Sequence, residues 1–101
     1  MDRRITIQYV LGCPHLVLAT ERVHDALGCL GVEQPAVDLY PVRDTADAER
    51  LAFCGSPTVL VDGVDPFADA GAPVGLACRV YATPGGLEGA PSVAQLCAAL
   101  R

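Results

Sequence analysis

The feature that most constrains the fold is a strand-like run that reaches a cysteine and passes at once into a helix-like run. From Arg4 to Leu11, apolar residues alternate with polar ones, which is the period of a β-strand. After Cys13, Pro14 suits the first turn of a helix, and apolar residues then recur every three or four positions until Gly31. These periods predict a strand over Arg4–Leu11 and a helix over Pro14–Leu30, the opening unit of an α/β fold.

The middle of the chain predicts a second strand, a second helix and a third strand. Residues 36–42 carry the second strand, and Asp44 or Thr45 can cap the helix that follows, which ends near Gly55. The short apolar run Thr58–Val61 carries the third strand. The inward face of the second helix is predicted to consist of Ala48, Leu51 and Ala52.

The next part of the chain predicts a hairpin that leads to a fourth strand. Asp62-Gly63 is a strong turn signal, and residues 64–77 indicate mainly a loop because they are weakly periodic. The fourth strand ends at Val80-Tyr81-Ala82. Its start is left open between Gly75 and Cys78.

A last helix completes the predicted domain. Pro84-Gly85-Gly86 turns the chain, and Ser92 with Gln95 three residues later forms a capping box ahead of an apolar stripe. The predicted order is β-α-β-α-β-β-α, with a right-handed crossover joining the first two strands in parallel. We therefore expect a single α/β domain over residues 1–101, a central four-stranded mixed sheet flanked by helices on both faces.

Composition narrows the classes of partner. The chain has 101 residues, 51% of them hydrophobic and 19% charged, which suits one globular domain rather than a disordered segment. Its net charge of −5 disfavours nucleic acid and anionic membrane surfaces as partners. We expect a cytoplasmic protein without a membrane-spanning segment, in which the five cysteines serve packing, redox chemistry or metal binding.

Cys13 is the first candidate for chemistry because it is predicted to stand where a strand ends and a helix begins. The unpaired amides and partial positive charge of a helix N-terminus stabilise a thiolate and lower a cysteine pKa below its free value of about 8.5. His15, two residues on, can add positive charge or relay a proton. The alternative is a small apolar cysteine at a turn, with a solvated histidine beside it.

Four short motifs belong together: Gly12-Cys13-Pro14-His15, Gly55-Ser56-Pro57-Thr58, Asp65-Pro66-Phe67 and Gly75-Leu76-Ala77-Cys78-Arg79-Val80-Tyr81. Together they resemble the thioredoxin-like fold, and more narrowly a group of short bacterial thioredoxin-family proteins often described as alkylmercury lyases. The resemblance spans nearly the whole chain and implies that Pro57 is cis and lies beside Cys13. Antiparallel pairing of the first and third strands, as in that fold, accounts for this proximity.

The chain departs from that family at Leu16, where a dithiol oxidoreductase has its second cysteine. Redox chemistry at Cys13 must therefore use one thiol or a distant cysteine. Cys54 and Cys78 are the two candidates, and each has the alternative of being a surface or core residue. Cys13 with Cys78 is also the candidate pair of ligands for a soft metal ion such as mercury(II), and we expect no other cofactor.

The resemblance also implies a binding surface around the thiol, formed by Pro14, Ser56, Pro57 and Thr58. Arg79 and Tyr81 share one face of the predicted fourth strand, where they can orient an anionic or thiol substrate or lie on an exposed face. Three residues are expected outside the site: Cys29 and Cys97 as packing residues, and His24 as a solvated side chain.

Two functions remain open from the sequence. The first is thiol chemistry at Cys13, either exchange with a disulfide or capture of a thiophilic species, with a thiol, disulfide or partner protein as substrate. Cleavage of a carbon–mercury bond is less favoured, because no acidic residue is clearly placed as a proton donor. The second is a non-catalytic binding module that uses the region of Cys13 and Pro57 as a contact surface.

Overall fold

The computed structural model of the chain describes residues 3–32, 36–69 and 71–101. Over these residues the chain forms seven strands and three helices. In chain order they are β1 (Ile5–Tyr9), α1 (Leu16–Cys29), β2 (Val37–Pro41), α2 (Thr45–Leu51), β3 (Cys54–Ser56), β4 (Thr58–Val61), β5 (Gly75–Cys78), β6 (Tyr81–Thr83), β7 (Gly86–Glu88) and α3 (Val93–Leu100).

The largest described sheet has three strands in the order β2-β1-β4. β1 pairs in parallel with β2, with Ile7 opposite Leu39, and antiparallel with β4, with Gln8 opposite Thr58. The parallel pair requires a crossover connection, and α1 supplies it. The predicted α/β class and the mixed pairing of β1 are therefore confirmed.

The main core lies between this sheet and the helices α1 and α3. Ile5 and Ile7 of β1 are fully buried, and their partners Val61 and Val59 on β4 lie in the same cluster. The helices contribute buried residues to that cluster, namely Val23, Ala26, Leu27, Leu96, Cys97 and Leu100. Alternate β1 residues thus face one apolar layer, which explains why the strand period was visible in the sequence.

The helix α2 belongs to a separate, smaller cluster built on Val42, Ala48 and Phe53. Leu51 packs there as predicted, whereas Ala52 is exposed and ends the helix in a left-handed conformation. Asp44 is the N-cap, because its side chain accepts a hydrogen bond from the Asp47 amide at 2.8 Å.

The expected end of α2 near Gly55 was wrong, because α2 ends at Leu51 and Gly55 lies in β3. Ser92 and Gln95 form the predicted capping box of α3, with both reciprocal hydrogen bonds present. The Asp62-Gly63 turn closes on a bridge between Val61 and Val64. In the described ranges, no helix is long and apolar enough to cross a membrane.

The prediction of a central four-stranded sheet was wrong for the part of the chain that the structure describes. The predicted fourth strand is divided into β5 and β6, and neither pairs with β4. β5 instead pairs in parallel with β3, which brings Ser56 opposite Cys78, and β6 forms a hairpin with β7. Pro84-Gly85-Gly86 supplies the hairpin turn, as expected.

The division has a physical cause at Gly55 and Arg79. Gly55 has φ +122°, and a Cβ added there would lie 2.9 Å from the Cβ of Arg79. The chain can therefore approach Gly55 closely at Arg79, whose guanidinium turns toward Asp65. The Tyr81 hydroxyl donates to Pro57 O at 2.5 Å, so a side chain of β6, and not a paired strand, contacts the residue before β4.

Candidate functional site

Cys13 lies in a tight turn between β1 and α1. Its amide donates to Val10 O at 3.0 Å, and its carbonyl accepts from the Leu16 amide at 3.4 Å. The thiol-bearing residue is half-buried. The helix begins at Leu16 with His15 as its N-cap, so the expected start at Pro14 was two residues too early. Cys13 therefore precedes the first turn, and the helix end acts on it over a longer distance than the sequence implied.

The β1–β4 pairing brings this turn toward Ser56 and Pro57. Gln8 lies opposite Thr58, and the Val10 amide donates to Ser56 Oγ at 3.0 Å. The peptide bond between Ser56 and Pro57 is cis, which confirms that expectation. Both residues are buried, and Thr58 Oγ1 donates to Gly55 O at 2.7 Å. The segment that the sequence assigned to the site is therefore a fixed wall beside the cysteine turn.

Arg79 forms a partly buried ion pair with Asp65. Its side chain is 10% exposed, and Nη1 donates to Asp65 Oδ2 at 2.6 Å and to Thr58 Oγ1 at 3.1 Å. Nη2 donates to Phe67 O at 2.6 Å. Burial is the largest single influence and opposes the charged form, but the hydrogen bond to Asp65 and the nearby charge interactions together outweigh it and raise the pKa of Arg79 above its ordinary value. These contacts tie the β4–β5 connection to the start of β4.

Tyr81 completes the same cluster. Its ring lies 4.6 Å from the Arg79 guanidinium carbon and meets Phe67 edge to face, with centroids 5.8 Å apart. Burial is the main reason that the pKa of Tyr81 lies well above its ordinary value. The hydroxyl therefore stays protonated and donates to Pro57 O.

A cavity of about 670 Å³ opens beside this cluster. Its lining includes Cys54 and Cys78 together with Arg79, Tyr81 and Phe67, and it does not include Cys13 or His15. The structure thus places both candidate partner cysteines on one cavity. Among the described residues, no group of three or more His, Cys, Asp or Glu side chains is arranged to hold a metal ion.

The two cysteines of this cavity differ in their surroundings. Cys54 is half-buried at the start of β3, and its thiol lies 3.5 Å from Ala52 O and 3.8 Å from Ala72 O. Cys78 is exposed at the end of β5. The sequence allows the predicted fourth strand to start at either Gly75 or Cys78, and β5, the first of its two segments, starts at Gly75.

His15 is positioned by residues that the sequence did not single out. A Cβ added at Gly89 would overlap the His15 ring at Cγ, so the imidazole packs directly on this glycine. Arg22, two turns along α1, pairs with Glu88 at 2.7 Å and donates to Ala90 O at 3.1 Å. The hydrogen bond from Arg22 lowers the pKa of Glu88. Gly89 has no sequence signal, because only the packing shows that a side chain is excluded there.

The remaining cysteines and histidine are placed as follows. Cys97 is buried in the main core, as predicted, and its thiol lies 3.8 Å from Ala26 O. Cys29 is exposed, so the prediction that it packs was wrong, because its position in the last turn of α1 faces solvent. His24 is exposed, as expected for a solvated side chain.

Comparison with known proteins finds no relative of the chain. No family model, no curated protein and no solved structure matches the chain.

Proposed function

We propose that the chain is a thioredoxin-like thiol protein in which Cys13 exchanges with a disulfide or captures a thiophilic species. The observation that carries the proposal is the hydrogen bond from the Val10 amide to Ser56 Oγ. This bond holds the cysteine turn against the buried Ser56-Pro57 segment. The backbone on that side of Cys13 is therefore fixed when a substrate sulfur approaches the thiol. Of the contact surface expected from the sequence, Pro14 is exposed and can meet a substrate, whereas Ser56, Pro57 and Thr58 are buried and support the cysteine turn from behind.

The exchange step needs one thiolate and one external thiol. The Cys13 thiolate attacks a substrate disulfide, a sulfur–sulfur bond forms to Cys13, and the substrate bond breaks. The departing half leaves as a thiolate and takes up a proton. Because Leu16 stands where a second cysteine is needed for a local disulfide, and the cavity lined by Cys54 and Cys78 does not include Cys13, we assign resolution of the mixed disulfide to a low-molecular-weight thiol. That thiol is oxidised, and Cys13 is restored.

His15 is the proposed positioning and proton-carrying residue for this step. It is half-buried, caps α1 without a side-chain hydrogen bond, and packs on Gly89. Gly89→Ala must displace the imidazole, since the new methyl group would occupy its place. We expect this variant to slow the reaction of Cys13 without unfolding the protein, and His15→Gln to slow it to a similar extent.

A small disulfide provides the direct test. Intact mass after incubation with glutathione disulfide reports one adduct, and peptide mapping locates it. We expect the adduct on Cys13, its loss in Cys13→Ser, and its retention in Cys29→Ser, which is matched because Cys29 is the more exposed residue. An adduct that forms on Cys29 or Cys78 at the same rate contradicts the proposal.

Capture of a soft ion such as mercury(II), treated as substrate, is the second form of the same chemistry. Thiolates are the ligands such ions prefer, and a pair binds more tightly than one. We expect Cys13→Ser to remove most affinity and either Cys54→Ser or Cys78→Ser to remove part of it. Equal binding by these variants and by Cys29→Ser and Cys97→Ser contradicts a role for a thiolate pair.

A non-catalytic binding module is the second candidate function, and we propose that its ligand occupies the cavity beside Arg79 and Tyr81 rather than the region of Cys13 and Pro57 expected from the sequence. The cavity of about 670 Å³ favours it, because its apolar wall of Phe67 and Tyr81 lies beside side chains fixed by hydrogen bonds. Under this candidate, Cys13→Ser leaves ligand binding unchanged, whereas Phe67→Ala weakens it. A screen of small disulfides and aromatic compounds by thermal shift, with both variants, distinguishes the two functions.

A further inference from the structure

A second concave surface lies between α1 and the edge strand β2. It encloses about 480 Å³. Val17 and Leu39 contribute its exposed apolar surface, at 67% and 47% exposure. We call it the α1–β2 groove, and it is lined by Leu16, Val17, Thr20, Glu21, His24, Asp25 and Leu39.

The rim of the α1–β2 groove carries two acidic side chains that form no ion pair among the described residues. Glu21 and Asp25 are exposed and lie one helical turn apart. Among the described residues, neither takes part in an ion pair, whereas Arg22 between them is engaged by Glu88. An apolar floor with an uncompensated acidic rim is complementary to an aliphatic side chain flanked by a basic one.

The backbone of β2 provides a third element of recognition. β2 is at the edge of the described three-stranded sheet. The Val42 amide donates to Tyr9 O, so residues of that parity face β1 and the peptide groups of Leu39 face outward. An extended segment can therefore add to this edge. Pro41 has the outward parity but no N–H, which limits the added strand to a short one.

We propose that the α1–β2 groove docks a short extended segment of a partner polypeptide, with an aliphatic residue over Val17 and Leu39 and a lysine or arginine beside Glu21 and Asp25. A second copy of the chain fits less well. Its net charge is −5, and a symmetric contact would bring the two acidic rims together. The proposal does not depend on thiol chemistry, so Cys13→Ser is expected to leave docking unchanged.

The test uses three short fluorescein-labelled peptides: alternating lysine and leucine, alternating glutamate and leucine, and alternating lysine and serine. Fluorescence anisotropy with the whole protein is expected to show binding of the first alone. Binding should weaken at least about threefold between roughly 0.05 and 0.5 M salt, because exposed charges are screened. Binding of the glutamate peptide with equal affinity, or of none of the three, overturns the proposal.

Two pairs of variants locate the site. Glu21→Gln with Asp25→Asn is expected to weaken the lysine–leucine peptide about three- to tenfold, and Val17→Ser about fivefold. The matched controls Glu49→Gln and Leu87→Ser change exposed residues outside the groove and should change affinity less than about twofold. All five positions are exposed, and circular dichroism checks that each variant is folded. Equal effects of groove and control variants overturn the proposal, as does concentration-dependent dimerisation that Val17→Ser abolishes.

Discussion

Asp65→Asn tests whether the partly buried ion pair with Arg79 holds the β4–β5 connection in place. In the unchanged protein, Arg79 Nη1 lies 2.6 Å from Asp65 Oδ2. The substitution removes the negative charge and turns either the amide N–H₂ or the amide oxygen of asparagine toward Nη1. Asp65 Oδ1 also accepts from the Phe67 amide at 2.9 Å, so an asparagine that keeps this bond turns its amide donors toward the guanidinium. Arg79, 10% exposed, is left with an uncompensated charge.

The expected loss is large for a surface-loop residue. Breaking a buried pair by removing one partner costs about 3–5 kcal/mol, and the 21% exposure of Asp65 reduces this to about 2–3 kcal/mol. Asp62→Asn is the matched control, because Asp62 pairs with Arg3 at 3.0 Å with both side chains well exposed. Urea unfolding, with the free energy of unfolding extrapolated to water, should show a much smaller loss for the control. Equal losses in the two variants would refute the reasoning.

Two further changes test the same region. Gly55→Ala is expected to lower the free energy of unfolding in urea by about 2–3 kcal/mol, because the new methyl group lies 2.9 Å from the Arg79 Cβ and the φ angle is unfavourable for alanine. The control Gly31→Ala, at φ +81° with open space around it, should lower it by only about 1 kcal/mol. A larger loss for Gly31→Ala than for Gly55→Ala contradicts the packing argument. Folding raises the pKa of Tyr81, so the unfolded chain loses the hydroxyl proton at a lower pH than the folded protein does. The contribution of Tyr81 to the free energy of unfolding is therefore fully present below the ordinary pKa of 10.0 and falls as pH rises above it. Tyr81→Phe is expected to lose the Pro57 hydrogen bond at neutral pH and to flatten the alkaline decline, and a decline as steep as that of the unchanged protein refutes the assignment to Tyr81.

Local signals were sufficient for the elements that face one apolar layer or begin with a polar cap. Ile5 and Ile7 alternate because one face of β1 is buried, and Ser92 with Gln95 is a cap that needs no distant partner. The pairing of β3 with β5 was not predictable in this way. Cys54–Ser56 is too short to show a period, and its partner is selected by the contact of Gly55 with Arg79.

The contacts of the candidate site also differ in whether the sequence could predict them. The antiparallel pairing of β1 with β4 is implied by the resemblance of the sequence motifs to the thioredoxin-like fold, so the approach of Ser56 to the cysteine turn could be predicted. The contacts of Arg79 could not, because Asp65 and Phe67 lie in a connection without periodic sequence. Gly89 is likewise visible only from the space that His15 occupies.

The most direct test of the central claim is the order in which the five cysteines react with iodoacetamide near neutral pH. Exposure alone ranks Cys29 and Cys78 ahead of the half-buried Cys13, with buried Cys97 last. Activation at the β1–α1 turn reverses the first part of this order, so limited labelling followed by peptide mapping should find Cys13 modified first. If Cys29 and Cys78 are both labelled before Cys13, the turn does not activate the thiol and the proposed chemistry is wrong.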